Sequence, residues 1–301
     1  MNILSTPRKQ NTIDQPVAVT GFGYWSGLDV TVEFRPASAD SGIRFVRKDL
    51  PGSPYVPAKI ANRAHSPRRT TICRGDVTIE MVEHIMAALY ALQIDNCEVV
   101  VNQAEMPCFD GSSQTFVEAL QRAGLKTLDR NRKCLVVTEP LRLGDDENCW
   151  IQAEPADDFR ITYHLNYPNY PQIGKQEYDL QVTADSFCNE LADARTFLLS
   201  HEAQWLLQQG LGQRVSYQHV LVFGDDGPID NELRYPDECV RHKTLDVVGD
   251  FALAGFDILG HITASRTGHR LNGEMIKRLL KHGQIIGDHS PNYIANLKQT
   301  A

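Results

Sequence analysis

The chain has 301 residues, 42% hydrophobic and 23% charged, with a formal net charge of -8; this is the balance of an ordinary globular protein, long enough for two domains of roughly 150 residues with a core each. The negative balance excludes a general basic footprint for nucleic acid or an anionic membrane, so an anionic ligand has to be met by cations gathered in a pocket. The seven cysteines, at 73, 97, 108, 134, 149, 188 and 239, are odd in number and scattered. They argue against a disulfide framework or a Cys-rich zinc site and for a reducing, cytoplasmic setting. The polar start "MNILSTPRKQNTIDQPV" has no signal-peptide core, and no later run approaches ~18 apolar residues, so no stable membrane insertion is expected.

In chain order, "VAVTGFGYWSGLDVTVEFRPA" reads as two strands about a glycine-rich turn, with alternation clearest in "DVTVEF". "IEMVEHIMAALYALQ" has helical apolar spacing, and Ile94 to Val101 reads as a strand. After the turn "MPCFDGSS", a second helix is predicted from near Ser112 to Gly124. The polar, basic "KTLDRNRKC" reads as a linker. Strands are predicted at "CLVVTEPLRL", "CWIQAEP" and "FRITYHLNY", then a helix at "HEAQWLLQQG". A long helix, "PDECVRHKTLDVVGDFALAG", enters behind Pro236 and stops at Gly255. The strand "FDILGHITASR", the tight turn "TGHR" and the helix "LNGEMIKRLLKHG" follow.

The two halves correspond. "EHIMAALYALQIDNCEVVV" followed by "DGSSQTFVEALQRAG" matches "RHKTLDVVGDFALAGFDILGHITA" followed by "TGHRLNGEMIKRLLKHG" in element order and nearly in length: His84 to Gly111 is 27 residues, His242 to Gly268 is 26. A duplicated strand, helix, strand, helix unit places His84 and His242 at equivalent points of two similar domains. The predicted class is α+β, with residues 1–126 and 133–301 as two similar domains, each a β-sheet with a pair of helices. Chance similarity of two helix, strand, helix arrangements is the competing reading.

On the long helix, His242 and Asp246 are four residues apart and point the same way, with Asp250 a further turn along. Such a pair also decorates solvated faces. A catalytic zinc takes three protein ligands and leaves a position to water; His84 from one half, with His242 and Asp246 from the other, supplies that set. Glu83 is then the candidate base for a water whose pKa a metal lowers towards ~7, or else a surface glutamate. His269 is a candidate acid for the leaving group, its tautomer set by Asp250, or else a residue of a helix N-terminus. Lys243 is suited to an oxyanion or an anionic substrate, or else to solvent. A His/His/Asp site accepts iron(II) or cobalt as well as zinc.

The segments "VEHIMAALYALQIDN", "MPCFDGSS", "ARTF", "VRHKTLDVVGD" and "TGHRLN" occur in order, and from "GFGYWSG" to the last helix the chain closely resembles the zinc-dependent UDP-3-O-acyl-N-acetylglucosamine deacetylases of lipid A biosynthesis. The resemblance implies Glu83 as general base, and His84, His242 and Asp246 as zinc ligands. It implies Lys243 at the substrate and oxyanion, Asp250 as partner of the catalytic His269, Thr196 supporting the oxyanion, and Phe197 and Cys73 beside the substrate. It further implies helices sandwiched between the two sheets and an acyl passage built by an insert near 197–223, with Gly210 and Gly212 shaping a turn. The aromatic "YHLNYPNYP", with Tyr167, is similar to the region that stacks on the uracil. The implied reaction yields UDP-3-O-acyl-glucosamine and acetate, carried out by a cytoplasmic monomer.

Two departures bear on the substrate. Trp25 in "GFGYWSG" stands where the family commonly has a histidine, and Glu154 where many members have a lysine that helps hold the sugar nucleotide. A carboxylate facing a diphosphate is unfavourable, so Glu154 is expected to point elsewhere or a different cation to serve. These departures keep open a related zinc amidohydrolase acting on a different N-acyl sugar nucleotide. A non-catalytic paralogue that binds acyl-sugar nucleotides is the other alternative; the full set of ligands, base and acid argues against it, because a retired catalyst has no chemical need for them. The end of the chain soon after the last helix predicts no room for a fused dehydratase domain.

Overall fold

In Asp29–Pro36 every second side chain, Val30, Val32 and Phe34, is buried, the period of a strand with one face on a core. The computed structural model describes residues 7–145 and 149–287. In it this strand pairs antiparallel with Val17–Phe22 on one side and with Cys97–Val101 on the other. Cys97–Val101 also runs parallel to Ile43–Arg47, which pairs antiparallel with Tyr55–Pro57, completing a five-stranded sheet.

The second half repeats this pairing step for step. Leu141–Asp145 is antiparallel to Cys149–Glu154, that strand to Asp257–Ser265, which is parallel to Phe159–Tyr167, itself antiparallel to Gly174–Gln181. In each unit the central strand arrives last, after a helix, because a parallel neighbour needs a crossover connection. Six helices occur among the described residues: α1 (Glu83–Ala91), α2 (Gln114–Ala123), α3 (Ala184–Glu190), α4 (Ser200–Gln208), α5 (Glu238–Ala252) and α6 (His269–His282). α2 packs on the first sheet, α5 and α6 on the second, and α1 packs against both α2 and α5. The fold is therefore α+β, with four helices between two sheets. That position explains why α1 is apolar nearly all round, with Ile85 to Leu89 buried.

The α1–α5 crossing is unusually close. A Cβ on Gly249 would stand 2.1 Å from the Glu83 carbonyl oxygen, so only glycine lets α5 come this near the first turn of α1. Both units also carry an insertion at the same point, between their last hairpin strand and the first helix of the pair. In the first unit it is a small sheet of Arg63–Ala64, Thr71–Arg74 and Val77–Glu80. In the second it holds α3, α4 and the parallel pair Phe197–Leu199 with Leu221–Phe223.

Several expectations are corrected. The segment read as a linker contains the strand Leu125–Asn131, antiparallel to Lys9–Ile13, and the domain limit set at 126 falls inside it. Most of its side chains are exposed, so no apolar alternation announced it, and backbone pairing holds it. Its counterpart after α6 is Gln284–Ile286, antiparallel to Cys134–Val136. "CLVVTEPLRL" is two strands, Cys134–Val136 and Leu141–Asp145, in different parts of the sheet. Residues 1–6 and 288–301 of the two proposed domains, and Glu147 and Asn148 of the segment before Cys149, lie outside the described residues.

The register of the repeat also shifts. Helix α1 is followed by Gln93 at φ 56 and helix α5 by Gly255 at φ 76, each two residues before an aspartate. Those aspartates, Asp95 and Asp257, both take Arg8 at 2.7 Å and Arg132 at 3.0 and 3.2 Å. Aligned on these landmarks, His84 coincides with Asp246 rather than with His242, a displacement of one helical turn. Among the described residues no helix is long and apolar enough to cross a membrane.

Candidate active site

Where α1 crosses α5, three donor atoms converge. His84 Nε2 lies 3.7 Å and His242 Nε2 3.5 Å from Asp246 Oδ1, and all three lie within 4.8 Å of one another. Ligands bonded at the usual zinc distances in a tetrahedron stand about 3.4 Å apart, so this spacing suits a small divalent cation. His242 Nδ1 is 3.0 Å from the Ala194 carbonyl oxygen; the ring's N–H donates there, leaving the Nε2 lone pair for a metal. Burial, opposed by Asp246, pushes the His242 pKa down to about 3, keeping the ring neutral as a ligand must be. Burial alone would raise Asp246, but Lys243 and His242 outweigh it and hold the carboxyl well below the usual range. Its two oxygens are divided: Oδ1 faces the imidazoles, and Oδ2 accepts from Lys243 Nζ at 2.8 Å.

A second group faces the first. The N-terminus of α6 presents His269, whose Nδ1 is 2.9 Å from Asp250 Oδ2 and whose Nε2 is 3.9 Å from Glu83 Oε1. Asp250 also accepts from Thr70 Oγ1 at 2.5 Å and Asn272 Nδ2 at 2.8 Å. Burial raises the Glu83 pKa despite the opposing imidazoles of His269 and His84. For His269, burial works against the imidazolium, but the charge and hydrogen bond of Asp250, helped by Glu83, prevail and bring its pKa to about 9. A carboxylate with enhanced proton affinity thus stands opposite an imidazole that holds its proton at neutral pH.

Thr70 ties these groups together, its hydroxyl on Asp250 and its backbone N–H on Glu83 Oε2 at 3.0 Å. Sequence reasoning did not single out Thr70: it belongs to no spaced motif, and its partners come from other elements. Asn272 had a faint signal, three residues beyond His269 and so on the same helical face.

The two groups open into a cleft of about 540 Å³ whose walls include Lys243, Thr196, Phe197 and Tyr167. Phe197 and Tyr167 meet edge to face at 5.7 Å. Tyr167 and Lys243 also line an adjoining cavity of about 340 Å³ with Tyr163, Tyr170 and Arg266. Three cations that the sequence reading passed over are therefore present, Arg266 here and Arg68 and Arg270 in the cleft. Glu154 and Cys73 line neither cavity; on its strand Cys73 follows the buried Ile72, and alternation turns the two to opposite faces.

The second unit's insertion encloses a third, apolar cavity of about 330 Å³, walled by Leu206, Leu211, Val215, Val220 and Val222. Gly212, at φ 67, turns the chain beside it, and Gly210 is also left-handed, at φ 78.

A family model described as UDP-3-O-acyl N-acetylglycosamine deacetylase matches residues 10–281. The chain is similar to the UDP-3-O-acyl-N-acetylglucosamine deacetylase of Syntrophotalea carbinolica, 36% identical over 272 residues, or 90% of this chain and 87% of that one. It is 38% identical over 272 residues to the protein of that name from Geotalea uraniireducens, covering 90% and 88% of the two chains. With the one from Chlamydia abortus it shares 36% identity over 275 residues, 91% and 98%.

Proposed function

This chain belongs to the UDP-3-O-acyl N-acetylglycosamine deacetylase family of amide-hydrolysing enzymes, and from that premise we propose how its residues carry out the reaction. The substrate is UDP-3-O-acyl-N-acetylglucosamine, and the products are acetate and UDP-3-O-acyl-glucosamine, a step of lipid A biosynthesis. The observation that carries the reading is the convergence of His84, His242 and Asp246 beside Glu83 and the His269–Asp250 pair.

Zinc is the proposed occupant of the three donors, with iron(II) also suited to them. When bound, such a cation supplies Lewis acidity towards the acetamide carbonyl and lowers the pKa of water. The remaining work falls to the chain. Glu83, a stronger base for being buried, takes the proton of the attacking water. His269 delivers its Nε2 proton to the sugar nitrogen as the C–N bond breaks, and Asp250 holds the ring for that transfer. Lys243 and the hydroxyl of Thr196 face the oxyanion.

The aromatic cavity beside Lys243 suits the uracil on Tyr167. Arg266, Arg270 and Arg68 supply the positive charge for the diphosphate that a lysine at position 154 would otherwise provide. The apolar cavity suits the acyl chain. Seven unpaired cysteines support a reducing, cytoplasmic location, and a monomer contains the whole constellation.

The reading is tested by measuring acetate release from UDP-3-O-(3-hydroxyacyl)-N-acetylglucosamine with metal-stripped protein, before and after one equivalent of zinc. Zinc is expected to restore turnover. Folded, zinc-loaded protein that releases no acetate would overturn the substrate assignment and favour a different N-acyl sugar nucleotide.

Thr70 gives a second prediction. Thr70→Val keeps the shape of the side chain but withdraws the hydroxyl from Asp250, leaving the dyad free to shift. A decrease in kcat of about 10²-fold is expected, with metal content unchanged, and Thr70→Ser is expected to retain most of the activity. Steady-state kinetics with metal analysis on both variants decides it.

A further inference from the structure

Three residues, Tyr24, Trp25 and Leu198, line both the catalytic cleft and the apolar cavity. They are the neck between the two. Trp25 is the largest of them, and it lies on the turn of the first unit that meets the second unit's insertion.

That turn is held rigidly. The buried carboxylate of Glu105 accepts from the backbone N–H of Trp25 at 2.6 Å and of Ser26 at 2.8 Å. Gly23 has no room for a side chain, since a Cβ would stand 2.4 Å from Glu105 Oε2. From the other side, Gly212 N–H donates to the Trp25 carbonyl at 3.3 Å. The indole is edge-on to Tyr24 at 5.0 Å and covered by the Arg69 guanidinium at 5.6 Å. With the main chain of the turn fixed from both sides and Tyr24 and Arg69 packed on the ring, the indole is a wall of set position rather than a swinging gate.

We infer that Trp25 is a specificity-determining residue: it sets the width of the neck and so selects acyl chains that are unbranched where they leave the cleft. The inference rests on the deacetylase reading, because it takes the apolar cavity as the acyl site. A packed aromatic wall discriminates by shape, and one misplaced methyl group against such a wall costs about 10–200-fold in kcat/KM. Glu105 acts through the turn as a positioning residue and does not line the cleft.

The test compares two isomeric substrates, UDP-3-O-acyl-N-acetylglucosamines with a linear chain or with a methyl branch within the first few acyl carbons. The readout is the ratio of their kcat/KM values, which a general loss of stability does not move. The native protein is expected to favour the linear chain. Trp25→Ala is expected to reduce that preference at least 10-fold, Trp25→Phe by less, and Leu198→Ala, which also widens the neck, in the same direction.

An unchanged ratio in the Trp25 variants, or in Trp25→Phe alone should Trp25→Ala not fold, overturns the inference. A ratio that responds to Leu198→Ala but not to Trp25 substitution overturns it as well. If the native protein releases acetate from neither isomer, the deacetylase reading itself falls and takes this inference with it, whereas an active enzyme with an unmoved ratio removes the role of Trp25 alone.

Discussion

Replacing Glu83 with glutamine is expected to lower kcat by about 10²–10⁴-fold while leaving KM and the metal content close to those of the native protein. The side chain is buried at the start of α1, whose main chain Gly249 approaches closely, and burial raises its proton affinity. Glutamine has the same length, and its amide oxygen still accepts from the Thr70 N–H, so the cleft keeps its shape. What it loses is the ability to take a proton. Metal analysis and steady-state rates on one preparation separate this outcome from a collapse of the site. A glutamine variant with native turnover would move the base to another group.

Asp250→Asn is expected to act on the other side of the cleft, lowering kcat by about 10²-fold or more and shifting the pH profile. The His269 pKa, about 9, stands above its ordinary value because Asp250 and Glu83 overcome the effect of burial. The imidazolium is therefore present below about pH 9 and lost as pH rises through it, so activity falls along an alkaline limb there. Glu83, raised by burial, sets the acid limb, and the profile is a bell. Without the Asp250 charge the alkaline limb moves to lower pH.

A stability cost accompanies this change. Asp250 receives three donors, from Thr70, His269 and Asn272, and only a carboxylate presents acceptors to all of them. The amide oxygen of asparagine can keep His269 and Asn272 while its N–H turns to the Thr70 hydroxyl, which rotates to accept it; what is lost is the charge behind these bonds, at a cost of about 1–2 kcal/mol. Rate profiles from pH 5 to 10, with thermal unfolding of both proteins, test the two effects together. An unmoved alkaline limb would assign it to a group other than His269.

Parts of this molecule are plain in its sequence. The strand read at "FRITYHLNY" is Phe159–Tyr167, residue for residue, because both its faces are informative: Phe159, Ile161, Tyr163 and Leu165 are buried in alternation. The long helix, bracketed by Pro236 and Gly255, forms from Glu238 to Ala252, its ends displaced only by the looser geometry of caps. Elements without an apolar period are not legible in the sequence. The strand Leu125–Asn131 is mostly solvent-facing, and the small sheet at 63–80 is too short to set a pattern. The repeat is legible but its register is displaced by a turn: the lengths from histidine to glycine pair His84 with His242, whereas the left-handed residues Gln93 and Gly255 and their following aspartates pair His84 with Asp246.

The candidate site divides along the same line. The donor types and the four-residue interval between His242 and Asp246 are written in the chain, because helical geometry places such residues one above the other whatever surrounds them. The chemistry of neighbouring residues extends that reading to Glu83 and His269, and family motifs add Thr196. No local rule brings His84 to the same point as His242 and Asp246, aims the N–H of His242 at Ala194, or joins Thr70 to an aspartate 180 residues away. Those follow from two sheets pressing four helices together, with Gly249 setting how closely α1 and α5 approach. The proton affinities of Glu83 and His269 belong to that packing as well, since burial and charged neighbours, not residue type, shift them. Covalent spacing determined which groups this protein could bring to bear; the tertiary structure decided which of them meet, in what protonation state, and beside which wall.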